Sequence, residues 1–223
     1  VTETKASIVV ERADVSDPIQ ATALITRSAA PLLSIWHLAG VVDDGTASKL
    51  TWERFRKVLA PKITGSLALY DAAVAHRAKR LVFFSSIYGL LGSRELVHYA
   101  AANAFQDSLA AAADNSCTRV QAVSWGTWAD AGMAHRFGPG FEAQIKATGM
   151  HFVPWDGGFQ ALASAAKCNS PHVAVLPADW SVYSKHRRRQ GLQPHALAQQ
   201  LVESLSTSSS ECPEAEVPKV AAA

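Results

Sequence analysis

Sulfur is scarce in this chain. Its 223 residues hold three cysteines, Cys117, Cys168 and Cys212, and no Cys-x-x-Cys pair. A disulfide framework and a structural zinc site are therefore excluded, and a reducing, cytosol-like compartment fits best. Long apolar runs are also missing: the longest, from Ala29 to Val42, contains Ser34 and His37 and falls short of the ~20 residues a spanning helix needs. Charge of one sign is lacking too, since 21 Lys+Arg face 19 Asp+Glu, too mild a balance to point to nucleic acid. No Gly-x-Ser-x-Gly elbow, Ser/His/Asp arrangement or metal-spaced His/Cys set can be read, so hydrolase and metalloenzyme readings fail. The first residues, Val1-Thr2-Glu3-Thr4-Lys5, have neither the apolar core of a signal peptide nor the Arg/Ser-rich amphipathic character of a transit peptide. The chain does not begin with Met, and we expect it to be cut from a longer protein. What is present, 48% hydrophobic residues, excludes disorder of the whole chain and suits one domain with a sizeable core.

Short β-branched runs alternate with Ala-rich stretches of helical spacing. Ser7–Val10, Leu33–Leu38, Leu81–Ser85, Thr118–Ser124 and His172–Leu176 read as five strands. Between them, helices are predicted from Asp17 to Ala30, from Thr51 to about His76 with a break at Pro61, from Val97 to Ala113, from Phe141 to Thr148 and from Trp155 to Ala166. Strands separated by helices predict an α/β fold: a Rossmann-like, doubly wound parallel sheet with function at the carboxyl ends of the strands. From Ser204 onward Ser, Thr, Glu, Pro and Ala dominate, the composition of a linker. The expected division is a partial domain over residues 1–190 and a largely disordered tail over 191–223.

The most informative segment is Phe84-Ser85-Ser86, then Gly89 and Gly92, then Tyr99-Ala100-Ala101-Ala102-Asn103. Ser86 stands where a strand ends, and Tyr99 and Asn103 lie one turn apart on one helix face. The alanines between them let a flat ring approach. A phenol, near pKa 10 unperturbed, becomes a useful proton donor when a nearby ammonium favours its anion.

Together with His37-Leu38-Ala39-Gly40-Val41-Val42-Asp43-Asp44-Gly45, Leu59-Ala60-Pro61-Lys62-Ile63-Thr64-Gly65 and Ser124-Trp125-Gly126-Thr127-Trp128, these residues resemble the β-ketoacyl reductase (KR) domain of modular, type I polyketide synthases. That family is a branch of the short-chain dehydrogenase/reductase superfamily. The resemblance covers roughly residues 7–182. The resemblance implies that Tyr99 gives its proton to the ketone oxygen, Ser86 polarises the carbonyl, Lys62 lowers the phenol pKa and binds the nicotinamide ribose, and Asn103 completes the relay. Asn103 stands where most short-chain reductases carry the lysine, an exchange typical of the polyketide branch. By the same resemblance Asp14 and Val15 lie beside the adenine, and Ala39 and Gly40 let the backbone approach the nicotinamide-side ribose. Asp44, Trp128 and Met133 are substrate-side candidates. Val42-Asp43-Asp44 resembles the Leu-Asp-Asp signature of B-type reductases, which form the 3R hydroxyl, and Leu91 replaces the marker Trp of the A type.

The implied activity is NADPH-dependent reduction of a β-ketoacyl thioester on an acyl carrier, the substrate tethered through phosphopantetheine and the other synthase domains as partners, without nucleic acid, metal or membrane span. The expected location is the cytoplasm, with plastid import left open. One departure matters most: no Gly-x-Gly-x-x-Gly loop occurs anywhere in the chain, although such a loop should hold the pyrophosphate at a helix N-terminus. We therefore expect the first two strands of the sheet to be missing, the strand around Ile35 to form an exposed edge, and the chain by itself to bind cofactor poorly. A non-catalytic partial module, or a stand-alone reductase of a small ketone, are the competing readings. Simpler roles compete locally as well. Asp43 and Asp44 suit a turn cap, Trp125 and Trp128 packing, His37 and His98 structural duty, and Lys185–Arg189 a solvated helix exit.

Overall fold

The computed structural model describes residues 7–27, 31–113, 117–129, 140–193 and 195–208, with side chains of the last segment described to 204. They fall into two compact units. The first, residues 1–133 and 153–176, is the α/β part. It runs α1 (Pro18–Thr26), β1 (Ser34–His37), a 3-10 turn (Ala47–Lys49), α2 (Trp52–Lys62), α3 (Thr64–Ala75), β2 (Arg80–Ser86), α4 (Ile87–Leu91), α5 (Val97–Ala112) and β3 (Arg119–Trp125). The second unit contributes α6 (Phe141–Ala147) before the chain returns to the first for α7 (Trp155–Lys167) and β4 (His172–Val175).

All four strands pair in parallel, in the order β1-β2-β3-β4, as a Rossmann-like sheet requires. β2 is buried over most of its length because helices cover both of its faces. On one face Ala21 and Ile25 of α1, Leu69, Ala72 and Ala73 of α3 and Ala110 of α5 meet Leu81, Phe83, Val120 and Ala122. On the other, Ala161, Leu162 and Ala165 of α7 pack on Val82, Val123 and Trp125.

Helix boundaries follow local chemistry. Asp17 caps α1 by accepting from the Ile19 and Gln20 amides, and Thr51 caps α2, each satisfying amides that lack an intrahelical partner. The long helix predicted across Pro61 divides at Ile63, where the chain turns to start α3 three residues after the proline.

Two expectations need correction. Ser7–Val10 is not a strand but extended chain without a ladder, and Ile8, Val9 and Val10 are exposed. A single β-branched run cannot hold strand geometry when no neighbour supplies its hydrogen bonds. The sheet thus has four described strands where five were read, and β1 pairs on one side only among the described residues. Second, the segment around Gly89, where no helix was predicted, forms α4, because Ser86 caps it by accepting from the Tyr88 amide at 3.3 Å.

The second unit, residues 134–152 and 177–223, holds α6, α8 (Trp180–Arg189) and α9 (Ala196–Ser208). Helix α9 lies inside the stretch expected to be linker; residues 209–223 lie outside the described residues. His186, Arg187, Arg188 and Arg189 fill the last turn of α8, where cations oppose the negative end of the helix dipole. Among the described residues no helix is long and apolar enough to cross a membrane.

Candidate active site

The carboxyl end of β2, the C-terminal turn of α2 and the inner face of α5 meet around one buried ammonium. Lys62 is 2% exposed because α2 packs against α5 and α3. Its Nζ donates to the Phe84 carbonyl oxygen at 2.9 Å and to Gln106 Oε1 at 3.0 Å. It stands 6.0 Å from the centre of the Tyr99 ring. Burial pulls the Lys62 pKa down to about 8, against the upward pull of Asp107. An ammonium has three hydrogens, and among the described residues these two acceptors leave one for a further partner.

Tyr99, Asn103, Gln106, Asp107 and Ala110 share the buried face of α5, at the spacing that stacks residues along one side of a helix. Asn103 donates from Nδ2 to the Tyr99 carbonyl oxygen at 2.7 Å, and its Oδ1 is buried without a partner. Ser85 Oγ donates to the Asn103 carbonyl oxygen at 3.3 Å, which ties the end of β2 to this turn. The next residue, Ser86, is buried and caps α4. The structure thus brings Lys62, Ser86, Tyr99 and Asn103 to one end of one strand. Helix α4 is pressed onto α5: a methyl group built on Gly89 would lie 2.8 Å from Asp107 Oδ2 and 3.0 Å from the Ala104 backbone nitrogen. Because the second of these is backbone and cannot swing away, Gly89→Ala is expected to cost about 1–3 kcal/mol, read as a lowered urea midpoint at unchanged slope.

Sequence reasoning missed a polar layer behind this cluster. Asp107 accepts from Ser124 Oγ at 3.2 and 3.3 Å, and His172 Nε2 lies 2.9 Å from Ser124 Oγ and 3.4 Å from Asp107 Oδ1. Burial pushes the Asp107 carboxyl up, opposed by hydrogen bonds from Ser85 and Ser124 and by the charges of His172 and Lys62. A Ser/His/Asp grouping does therefore exist, contrary to the reading above. It is not a nucleophile array, because one ring nitrogen faces both partners and no base is left oriented by a third group. The signal was present in the four-residue steps from Tyr99 to Asn103 to Asp107, with Gln106 beside them, on a helix otherwise rich in alanine.

His37 is buried and meets the Pro61 carbonyl oxygen through Nε2 at 2.9 Å, the structural role expected of it. Desolvation first, and the nearby Lys62 charge second, lower its pKa from 6.5 to about 4. Since the unfolded state takes up the proton at higher pH than the folded one, the stability this neutral ring holds above 6.5 is lost as pH falls toward 4. The loss is about 3 kcal/mol. His37→Gln, which keeps a donor for the Pro61 carbonyl, should lose correspondingly less between pH 7 and 4 in denaturant titrations. His98 is also buried, tilted against Phe55 at 5.6 Å.

The remaining candidates are placed as follows. Asp43 is not a turn cap: Arg54 binds both of its carboxylate oxygens, and Arg54 Nη2 also donates to the Asp44 carbonyl oxygen at 2.8 Å. This fixes the loop that carries Asp44. Trp128 packs between Trp125 at 4.8 Å and Trp155 at 5.4 Å, with its ring over the α7 backbone at Gly158. Met133 lies outside the described residues. Asp14 Oδ1 accepts from the Ser16 amide at 2.8 Å, and the Val15 backbone abuts Gly65 at the start of α3, three residues beyond Lys62. Gly40 follows β1 just after Ala39, and a methyl group built on it would reach to 3.1 Å from Lys62 Cε. Bare backbone, an ammonium with a hydrogen to give and a phenol fit the ribose and amide end of a nicotinamide dinucleotide. For the pyrophosphate, the sequence offers no glycine-rich turn.

A model of the KR domain matches residues 1–130. The chain belongs to the KR-domain family. The KR-domain chain is 33% identical over 173 residues to the polyketide synthase GfsA of Streptomyces halstedii, covering 77% of this chain and 2% of that protein. It is 33% identical over 177 residues to a 6-methylsalicylic acid synthase of Arthrobotrys oligospora, covering 78% of this chain and 10% of that one. A solved A1-type ketoreductase superposes with a TM-score of 0.77 at 27% identity, over 87% of this KR-domain chain and 41% of the other. The KR-domain chain therefore spans a small part of these synthases and less than half of that ketoreductase.

Proposed function

We propose that this KR-domain chain carries the proton-donating and substrate-orienting half of an NADPH-dependent β-ketoacyl reductase. The substrate would be a β-ketoacyl thioester held on an acyl carrier through phosphopantetheine, and the product its β-hydroxy form, in polyketide or related assembly. The observation that carries this reading is the buried Lys62 ammonium 6.0 Å from the Tyr99 ring, on a helix turn fixed by Asn103.

Gly40, Lys62 and Tyr99 would hold the nicotinamide-side ribose, with Ala39 beside them and Asp14 and Val15 toward the adenine. When bound, the cofactor supplies the hydride to the carbonyl carbon. Tyr99 gives its proton to the carbonyl oxygen, so that the developing alkoxide is neutralised as it forms. Ser86 donates a hydrogen bond to the same oxygen. Lys62 stabilises the phenolate left on Tyr99, and Asn103 fixes the turn on which the phenol sits. Arg54 anchors the Val42-Asp43-Asp44 loop, which would set the face presented and favours the B-type, 3R outcome. Asp44, Trp128 and Met133 would lie on the acyl side.

The test joins the chain to a segment bearing a Gly-x-Gly-x-x-Gly turn and follows NADPH absorbance with a β-ketoacyl thioester. A second reading, a non-catalytic partial module, is favoured by the lack of that turn in these 223 residues. The joined protein separates the two, because a module without catalytic duty stays silent however it is completed.

A further inference from the structure

Lys62 is held by two acceptors of different kinds. The Phe84 carbonyl belongs to the sheet and is fixed by it. Gln106 Oε1 belongs to a fully buried side chain, and a buried amide is costly unless both of its ends are bonded. Both are: while the oxygen accepts from Lys62, Nε2 donates to Ser66 Oγ on α3 at 2.9 Å. An ammonium cannot accept, so the amide is oriented by chemistry alone, with its oxygen toward Lys62. Position 106 therefore links α5, α2 and α3 through a neutral group. A leucine would fill the same volume without needing a partner on α3, and a carboxylate would bind the ammonium as an ion pair.

We propose that Gln106 is the positioning residue of Lys62, tethering the ammonium through Ser66 so that its remaining hydrogen is left to Tyr99 and the cofactor ribose. The proposal rests on the reading of Lys62 given above and adds a residue that touches none of the reacting atoms. Other groups also face Lys62. From β1 comes His37, which is neutral near pH 7; from α5 come Tyr99 and the buried Asp107, linked onward to His172. Helix α3 presents the Ser66 hydroxyl and β2 the Phe84 backbone, neither of which titrates in the working range. Exchanging Gln106 for leucine, or Ser66 for alanine, alters the tether without adding or removing a titrating partner.

The test reads Lys62 directly. The full chain is labelled with lysine carrying carbon-13 and nitrogen-15, the Lys62 side-chain signal is assigned by its loss in Lys62→Arg, and its titration is followed by NMR without cofactor or substrate. Gln106→Leu removes an acceptor from the charged form and should lower the midpoint by about one pH unit, whereas Gln106→Glu should raise it by about one unit or more. Ser66→Ala, which frees the amide, should lower it by less than the leucine. A structural loosening would instead carry every variant upward toward the ordinary lysine value of about 10.4. Midpoints unmoved in all three variants, or raised in all three, overturn the proposal. If Gln106→Leu fails to fold, the glutamate and the serine variants still decide it, since they call for opposite shifts. Because no turnover is read, a failed reductase assay on the joined protein would sink the proposed function and leave this result standing by itself.

Discussion

Tyr99→Phe, in the chain joined to a dinucleotide-binding segment, is expected to lower kcat by about 10²–10⁴ while leaving KM for the thioester nearly unchanged. The substitution removes one oxygen from a residue only 7% exposed, so packing on α5 is preserved and the fold should hold. The loss falls on the chemical step alone, because the hydroxyl matters only once negative charge develops on the carbonyl oxygen. A joined protein that reduces its substrate and keeps full turnover in Tyr99→Phe removes the proton-donor assignment, and with it the interest of the 6.0 Å approach of Lys62.

The second large effect is on pH. Lys62 sheds its proton near pH 8, and below that value its charge favours the phenolate that Tyr99 becomes. Turnover of the joined protein should therefore fall as pH rises through 8, approaching tenfold for each further unit. Lys62→Gln should be slow at every pH and lack that limb. Stability moves the other way. The folded pKa lies below the unfolded one, so between about 8 and 10.5 the unfolded chain holds the proton that the folded chain has released, and stability rises with pH across that window. Activity and stability measured on the same samples should part company there, which a simple alkaline unfolding would not produce.

Much of the fold was legible because its signals are local. The runs Leu81–Ser85 and Thr118–Ser124 could only be buried strands, and Pro61 announced the break between α2 and α3. The strand read at Ser7–Val10 failed for the opposite reason: β-branching states a preference, but a ladder needs a neighbour, and the lack of a glycine-rich turn already implied that the neighbouring strands are not in this sequence. The four candidate residues, Lys62, Ser86, Tyr99 and Asn103, were legible through a resemblance, and they lie near the carboxyl end of β2. Their support was not. Gln106, Asp107, Arg54 and His172 were not singled out, because each acquires meaning from a partner more than ten residues away in the chain.

The helix α2 carries Arg54 near its first turn and Lys62 at its last, eight positions and roughly 12 Å apart along one rod. One end grips the loop of Asp43 and the other delivers the ammonium. One residue inserted between them would rotate one end against the other by about 100° and add about 1.5 Å, so both grips could not survive together. The stretch between Arg54 and Lys62 is thus fixed in length, and indels should be purged from it while they accumulate in the loops on either side.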